Sequence, residues 1–305
     1  MANHKILTFE NISLQEFDSD AELIPLLTPE DEAEMNNEEL PASLPILPLR
    51  NTVLFPGVVI PISAGRDKSI KLINDANAGS KIIGVVAQKN EGDEDPTKND
   101  IHKIGTVARI LRVLKMPDGN ITVILQGKKR FEIDAVISEK PYLRANIKEV
   151  SEKRPGKHDT EFLAIVDSIK ELAIQIIKES PNIPTEATFA IRNIESQSFL
   201  INFVSSNMNL SVAEKQDLLT MNALKERALE TLRFMNVELQ KLELKNDIQS
   251  KVRFDLDQQQ REYFLHQQMK TIQEELGGVS HDEEMDEMRK KAKTKKWDDK
   301  TRKLF

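Results

Sequence analysis

Apolar positions follow a period of two from residue 44 to about 148 and recur at helical spacing from residue 162 onward, so the pattern predicts a β-rich part followed by a helical one. The first run, Leu44-Pro45-Ile46-Leu47-Pro48-Leu49, is barred from a helix by its prolines. Each removes a donor and holds its predecessor extended, which leaves an edge-type strand. Phe55-Pro56-Gly57 reads as a turn before a short strand over 58–62. Ile70, Ile73 and Ala76 then predict one helix over 66–78, closed by Gly79, and strand character returns over 81–87. Residues 106–114 are almost continuously apolar or β-branched, and Met116-Pro117-Asp118-Gly119 supplies turn residues in order. Ile121, Val123 and Leu125 follow in alternation, which completes a β-hairpin. Two further strands show period two, one through Phe131, Ile133, Ala135 and Ile137, the other through Leu143, Ala145 and Ile147. Short strands with one helix among them predict a small barrel or strongly bent sheet. A parallel α/β sheet is excluded, since it needs a helix after each strand.

The pattern breaks at Lys153-Arg154-Pro155-Gly156-Lys157. Beyond it, Phe162, Ile165, Val166, Ile169, Leu172, Ala173, Ile176 and Ile177 form one helical stripe that ends at Pro181 and Pro184. Two shorter helices follow from Thr185, and Ser211 with Glu214 forms a capping box that opens another, giving a helical bundle. From Ala223 to Leu276 neither proline nor glycine interrupts the chain, so a helix of some 54 residues is permitted. Leu232, Met235, Leu239 and Leu242 hold a coiled-coil spacing, but from Val252 the apolar residues resume on another register. The packing face is therefore expected to change partners between Leu242 and Val252. Gly277-Gly278 is expected to stop this helix, and an acidic cluster over 282–287 and a basic one over 289–296 follow. No stop signal precedes Phe305, which predicts a longer parent protein.

Composition changes this picture mainly at the start of the chain. Residues 1–43 hold eleven acids against Lys5 alone, a net charge of −10, whereas the whole chain carries −7. The remainder is thus close to neutral, and the acidity belongs to an extension expected to be disordered and solvated. The absence of cysteine rules out disulfides and thiolate chemistry and suits a reducing, cytoplasmic setting. No apolar run reaches the length of a membrane span, and the first residues lack the form of a signal peptide.

Catalytic chemistry finds little support. Neither Gly127-Lys128-Lys129 nor Gly156-Lys157-His158 fits a phosphate loop, and the five histidines are too scattered for a preorganised metal site. No nucleophile-elbow glycines surround a serine. Two features point instead to binding. Phe55, Pro56 and Val58 at one turn and Met116 at another are candidate substrate contacts, since exposed apolar residues at loop tips can hold unfolded polypeptide. Their alternative is to tuck back against the barrel. The basic run from Arg289 to Lys296 is compatible with phosphate-backbone contact, but it lacks interleaved aromatics and lies beside offsetting acids, so a solvated helix face is expected.

Several ordered blocks resemble the N-terminal region of the Lon protease family. They are Leu44 to Asn51 with Phe55-Pro56-Gly57, Gly105-Thr106-Val107-Ala108-Arg109-Ile110, Ala213 to Leu219, and Gln260-Arg261-Glu262-Tyr263-Phe264-Leu265 with Ile272 to Gly277. The resemblance implies an α+β fold, with a small β-barrel-like (PUA-like) domain, an all-α bundle and a long helix. It also implies a substrate-recognition domain over 44–153, a bundle over 158–222, a neck over 223–278 and a linker over 279–305, while the acidic extension over 1–43 falls outside it. Family members are homohexameric ATP-dependent serine proteases that degrade damaged or regulatory proteins, with a serine-lysine dyad. The phosphate loop and that dyad lie outside these residues, so the chain is expected to be non-catalytic, with ATP and Mg serving the parent enzyme. Expected partners are unfolded proteins and further copies of the chain, with no membrane. A nucleic-acid-binding module, with DNA as partner, and a free-standing binding protein are the alternatives.

Overall fold

A computed structural model describes residues 28–275 and 281–295, apart from Asp118, Lys157, Asn182 and Glu186. The architecture is α+β, as the pattern predicts. The β part contains β1 (Ser43–Leu49), β2 (Val59–Ala64), α2 (Asp67–Ala78), β3 (Ile82–Ala87), β4 (Ile104–Lys115), β5 (Ile121–Ser138) and β6 (Arg144–Glu149). Helix α1 (Pro29–Asn37) precedes it. The helical part contains α3 (Thr160–Glu179), α4 (Ala187–Asn193), α5 (Gln197–Asn207), α6 (Val212–Thr220), α7 (Leu224–Glu275) and α8 (His281–Thr294).

The strands run in the order β2-β5-β4-β3-β1-β6, and β6 pairs again with β5. The ring β5-β4-β3-β1-β6 therefore closes on itself, with β2 added outside it on β5. β5 makes closure possible because it is long enough to serve two partners on one edge, β2 near its start and β6 near its end. The pattern predicts separate strands on either side of Gly127-Lys128-Lys129-Arg130, but the structure runs one strand through them. Its pairings carry register shifts between Ile110 and Arg112 of β4 and between Ile133 and Ala135 of β5, the local bends a small closed sheet requires.

One core fills the barrel between α2 and the sheet, from Leu47, Leu72 and Ile73 to Val123 and Leu125. A second lies around Phe131, Ile46 and Val107. The third joins the Phe55 turn to the bundle, and it runs through Phe162, Ile169, Leu200, Leu218 and Ala228. Asp159 caps α3, Ser196 caps α5, and Ser211 with Glu214 forms the expected box on α6, so the starts of these three helices are satisfied by side chains.

The chain divides into two compact units, 1–243 and 244–305. Within the first, α7 buries Leu224, Ala228, Thr231 and Met235. Within the second, Leu244, Ile248, Phe254, Leu256, Phe264 and Ile272 are all exposed, as are Met285 and Met288 of α8. The change expected between Leu242 and Val252 thus begins earlier, since no α7 residue after Met235 is buried among those described. The stop expected at Gly277-Gly278 lies outside the described residues.

The acidic extension also departs from expectation in part. Most of it lies outside the described residues, but α1 is a formed helix with a capping box between Thr28 and Asp31, and Glu32 is buried. Its sequence carries few apolar residues, so most of the contacts that hold it are polar, with Met35 packed against the third core.

Candidate functional site

The turn Phe55-Pro56-Gly57 faces the bundle. Gly57 takes a φ of 80°, which favours glycine, and donates its N–H to the Gly127 carbonyl at 2.9 Å. Gly127 itself passes so close that a Cβ there would lie 2.2 Å from the Phe55 carbonyl oxygen. This close approach turns Phe55 (0% exposed) and Val58 (4%) into the third core, beside the bundle. The expectation of an exposed patch at Phe55 and Val58 is therefore corrected: the tuck-back alternative applies to both. Pro56 is half-buried and its carbonyl accepts from Asn202 Nδ2 of α5 at 3.2 Å. Met116 differs, being 38% exposed at the tip of the β4–β5 hairpin, where its N–H donates to the Asn120 carbonyl. Leu111 on the same hairpin is also exposed. Ile121, which follows the Met116 turn, and Gly127, beside the Phe55 turn, lie six residues apart on β5, roughly 20 Å at strand rise, so the candidate residues do not form one surface.

What does converge is a cleft of about 290 Å³ between β5, the segment after β6, α5 and α1. Its floor is polar and buried. Arg130 of β5 is 3% exposed and donates from Nη1 to the carbonyls of Leu219 and Met221, at 2.8 and 2.9 Å. Those carbonyls end α6, where a cation is favoured because the last turn leaves acceptors unpaired. Arg227 of α7, 0% exposed, donates from Nη1 to Glu152 at 3.0 Å and to Asn202 Oδ1 at 2.9 Å, and from Nη2 to Met221 at 2.8 Å. The two guanidiniums, Glu152 and Asn202 tie the barrel to the bundle through side chains from four separate stretches of sequence. Burial, and then repulsion from Arg227, pushes the Arg130 guanidinium down to about 10 against the attraction of Glu152. It therefore stays charged at neutral pH. Arg130 Nη2 has no hydrogen-bond partner among the described residues.

Around this floor stand Lys128, Lys129 and Arg154. Lys129 pairs with Glu149 at 3.1 Å, and Arg154 pairs with Glu152 at 3.2 Å and with Glu32 at 2.6 Å. Lys128 pairs with Glu38, and the Ser196 hydroxyl donates to Glu32. The cleft wall is thus a basic surface whose charge is offset in part by Glu149 and Glu152 beside it and in part by Glu32 and Glu38 of the acidic extension. Such a surface can recognise carboxylates; it offers no nucleophile paired with a base. Among the described residues no group of three or more histidines, aspartates or glutamates gathers to hold a metal. Gly127-Lys128-Lys129 lies inside a strand, so its amides cannot cradle a phosphate as a strand-to-helix loop does.

Sequence reasoning missed this cleft. Its clearest signals were a Lys-Lys-Arg run placed between two strand patterns and an arginine, Arg227, falling on a stripe position between Leu224 and Thr231.

Comparison with known proteins bears on the same region. Residues 43–237 match the family described as the ATP-dependent protease La (LON) substrate-binding domain. The chain is 86% identical over all its 305 residues to a Lon protease of Flavobacterium johnsoniae, of which it spans 37%. It is 49% identical over 284 residues to a Lon protease of Cytophaga hutchinsonii, covering 93% of this chain and 35% of that protein. The chain therefore spans about a third of the length of these curated relatives. Among solved structures, the N-terminal domain of a Mycobacterium avium complex Lon protease superposes with a TM-score of 0.53 at 22% identity, over 64% of this chain and 98% of that one, which shows the shared fold.

Proposed function

The chain belongs to the Lon family, and from that premise we propose that it is the substrate-receiving part of an ATP-dependent serine protease that degrades misfolded and regulatory proteins. One observation carries the reading: the match to the substrate-binding domain, 43–237, covers the closed barrel and the bundle, the part of the chain with a continuous buried interior. In this reading the chain contributes binding surfaces, and unfolding and cleavage belong to a longer protein of the relatives' length, in the cytoplasm. ATP and Mg serve that longer protein, as its kinship with an ATP-dependent protease family suggests. Among the described residues no helix is long and apolar enough to cross a membrane.

Assembly into a homohexamer is supported by the exposed apolar residues over 244–275, which need cover. The nucleic-acid alternative has less behind it. In α8, Lys291 pairs with Glu287 at 3.2 Å and Arg289 lies 3.9 Å from Asp286, so the basic run is partly offset within its own helix.

The test is binding of one labelled globular protein in its native and its urea-denatured form, diluted onto the immobilised chain. The denatured form is expected to be retained and the native form not. Equal retention of both, or of neither, ends the reading; retention of duplex DNA that falls steeply with salt transfers it to the nucleic-acid alternative.

A further inference from the structure

The acidic extension is bound in an unusual way for a chain terminus. Residues 28–43 contain six acids and no base, and their helix, α1, is only nine residues long. An isolated helix of that length is marginal in water. Glu32 is the one residue of α1 that is buried among those whose side chains are described, and Met35 is half-buried. The helix is held by carboxylates, Glu32 on Arg154 at 2.6 Å and on the Ser196 hydroxyl with Glu38 just beyond it on Lys128, and by Met35 packed against the third core.

The surface they meet is built independently of them. Lys128, Lys129 and Arg130 come from consecutive positions of β5, and Arg154 from the segment after β6. Arg130 is more than nine-tenths buried, lines the cleft and keeps Nη2 without a hydrogen-bond partner among the described residues. Removing the two arm carboxylates leaves these four cations and Arg227 against Glu149 and Glu152. A site with that excess accepts a carboxylate-rich segment whatever chain it comes from. A short helix anchored by two carboxylates and one half-buried methionine has few contacts to lose, so local release is cheap relative to unfolding the barrel.

We propose that the cleft between β5 and α5 is a site for acidic peptide segments, occupied in cis by residues 28–42 of this chain and vacated when an acidic segment of a bound protein displaces them. This rests on the substrate-binding reading for the origin of the competing segment, and on the cleft's own contacts for its chemistry. The extension then sets a threshold: a competitor must exceed a tethered occupant whose effective concentration is on the order of millimolar.

The experiment uses the full chain, wild type and the double variant Glu32→Gln with Glu38→Gln, and a fluorescent peptide with the sequence of residues 28–42. Anisotropy is expected to show the variant binding the peptide at least tenfold more tightly than wild type, with affinity falling as salt rises. Adding Lys128→Glu and Arg154→Glu to the variant is expected to remove that binding. Equal affinity for wild type and variant, or no binding by a variant whose circular dichroism matches wild type, overturns the proposal. Should the variant fail to fold, hydrogen exchange on wild type decides: millimolar peptide is expected to speed exchange of the α1 amides, and unchanged exchange overturns the proposal. A denatured protein serves as a parallel probe. Its retention without peptide exchange sinks the cleft and spares the substrate-binding reading, whereas peptide exchange without its retention does the reverse.

Discussion

The two parts of α7 are one helix by hydrogen bonding and two by packing. Over 224–235, Leu224, Arg227, Ala228, Thr231 and Met235 recur at three- and four-residue steps and are all buried. Small residues at Ala228 and Thr231 let neighbours approach, and the Thr231 hydroxyl lies 3.0 Å from that of Ser205 on α5. Over 244–272 large apolar residues continue but none is buried. Leu244, Ile248, Val252 and Leu256 advance by four, and each such step turns about 40° around the helix, so no single straight face collects them. Phe254, Leu265 and Met269 fall elsewhere on the circumference. Hydrophobicity alone therefore does not say where a helix packs. A stripe held to one face, with small residues where a neighbour comes close, marks the half whose partner is inside this chain. A winding stripe of large residues marks the half that stays exposed among the described residues.

The sharpest way to break this contrast is at Arg227, fully buried in the packed half and bonded to Glu152, Asn202 and the Met221 carbonyl. Arg227→Ala removes one partner of a buried ion pair and strands the others, a change that costs about 3 kcal/mol or more. Urea denaturation is expected to show that loss in the transition of the barrel and bundle. A loss below about 1 kcal/mol would show that the junction is held by apolar packing alone and that the polar floor of the cleft is incidental.

This contrast also explains what could be read from the sequence. The strands, the α2 helix, the capping box at Ser211 and the long α7 helix follow from local rules, so they were legible. The unity of β5 was not, because Gly127-Lys128-Lys129-Arg130 has the composition of a loop. It is a strand because Gly127 lets the Phe55 turn approach and because Arg130 finds the α6 carbonyls, both set by residues far along the chain. The same reason hid the cleft. Phe55 and Val58 looked like loop-tip residues because a turn is usually exposed, and only the bundle, a later part of the sequence, covers them. The α1 helix left one local trace, Thr28-Pro29-Glu30-Asp31 as a capping signal, which the surrounding charge outweighed.

A second prediction addresses the unpacked half. Leu256→Asp with Phe264→Asp places charges on residues that are exposed, so the thermal midpoint of the barrel and bundle is expected to stay within the range of ordinary surface changes, about 0.5 kcal/mol. Self-association, followed by sedimentation across a concentration series, is expected to weaken at least tenfold, since each apolar side chain buried between copies contributes roughly 1.5 to 3 kcal/mol. If the midpoint falls while association is unchanged, these residues pack within the chain and the contrast between the halves collapses.

The smallest effect tests how the packed half is fastened at its first turn. Asp159 caps α3 by accepting from the Phe162 N–H at 3.0 Å, and Lys225 of α7 donates to it at 3.0 and 3.1 Å. The backbone hydrogen bond first, and Lys225 second, hold its carboxyl below the usual carboxylate range against a small opposing effect of burial. A folded value below the unfolded one, near 3.9, means the unfolded chain takes up the proton first as pH falls. The contribution is then complete above that range and disappears as pH drops through the folded value. Asp159→Asn keeps the cap, because asparagine serves that position equally well, and removes only the charge facing Lys225. Lys225 retains Glu161 at 2.7 Å, so the loss at neutral pH is expected to be slight. Urea denaturation at pH 7, 5 and 3.5 is expected to show wild type ahead at the two higher values and the gap closing at the lowest. A gap independent of pH would mean that the cap alone fastens this corner and that the charge of Lys225 adds nothing to it.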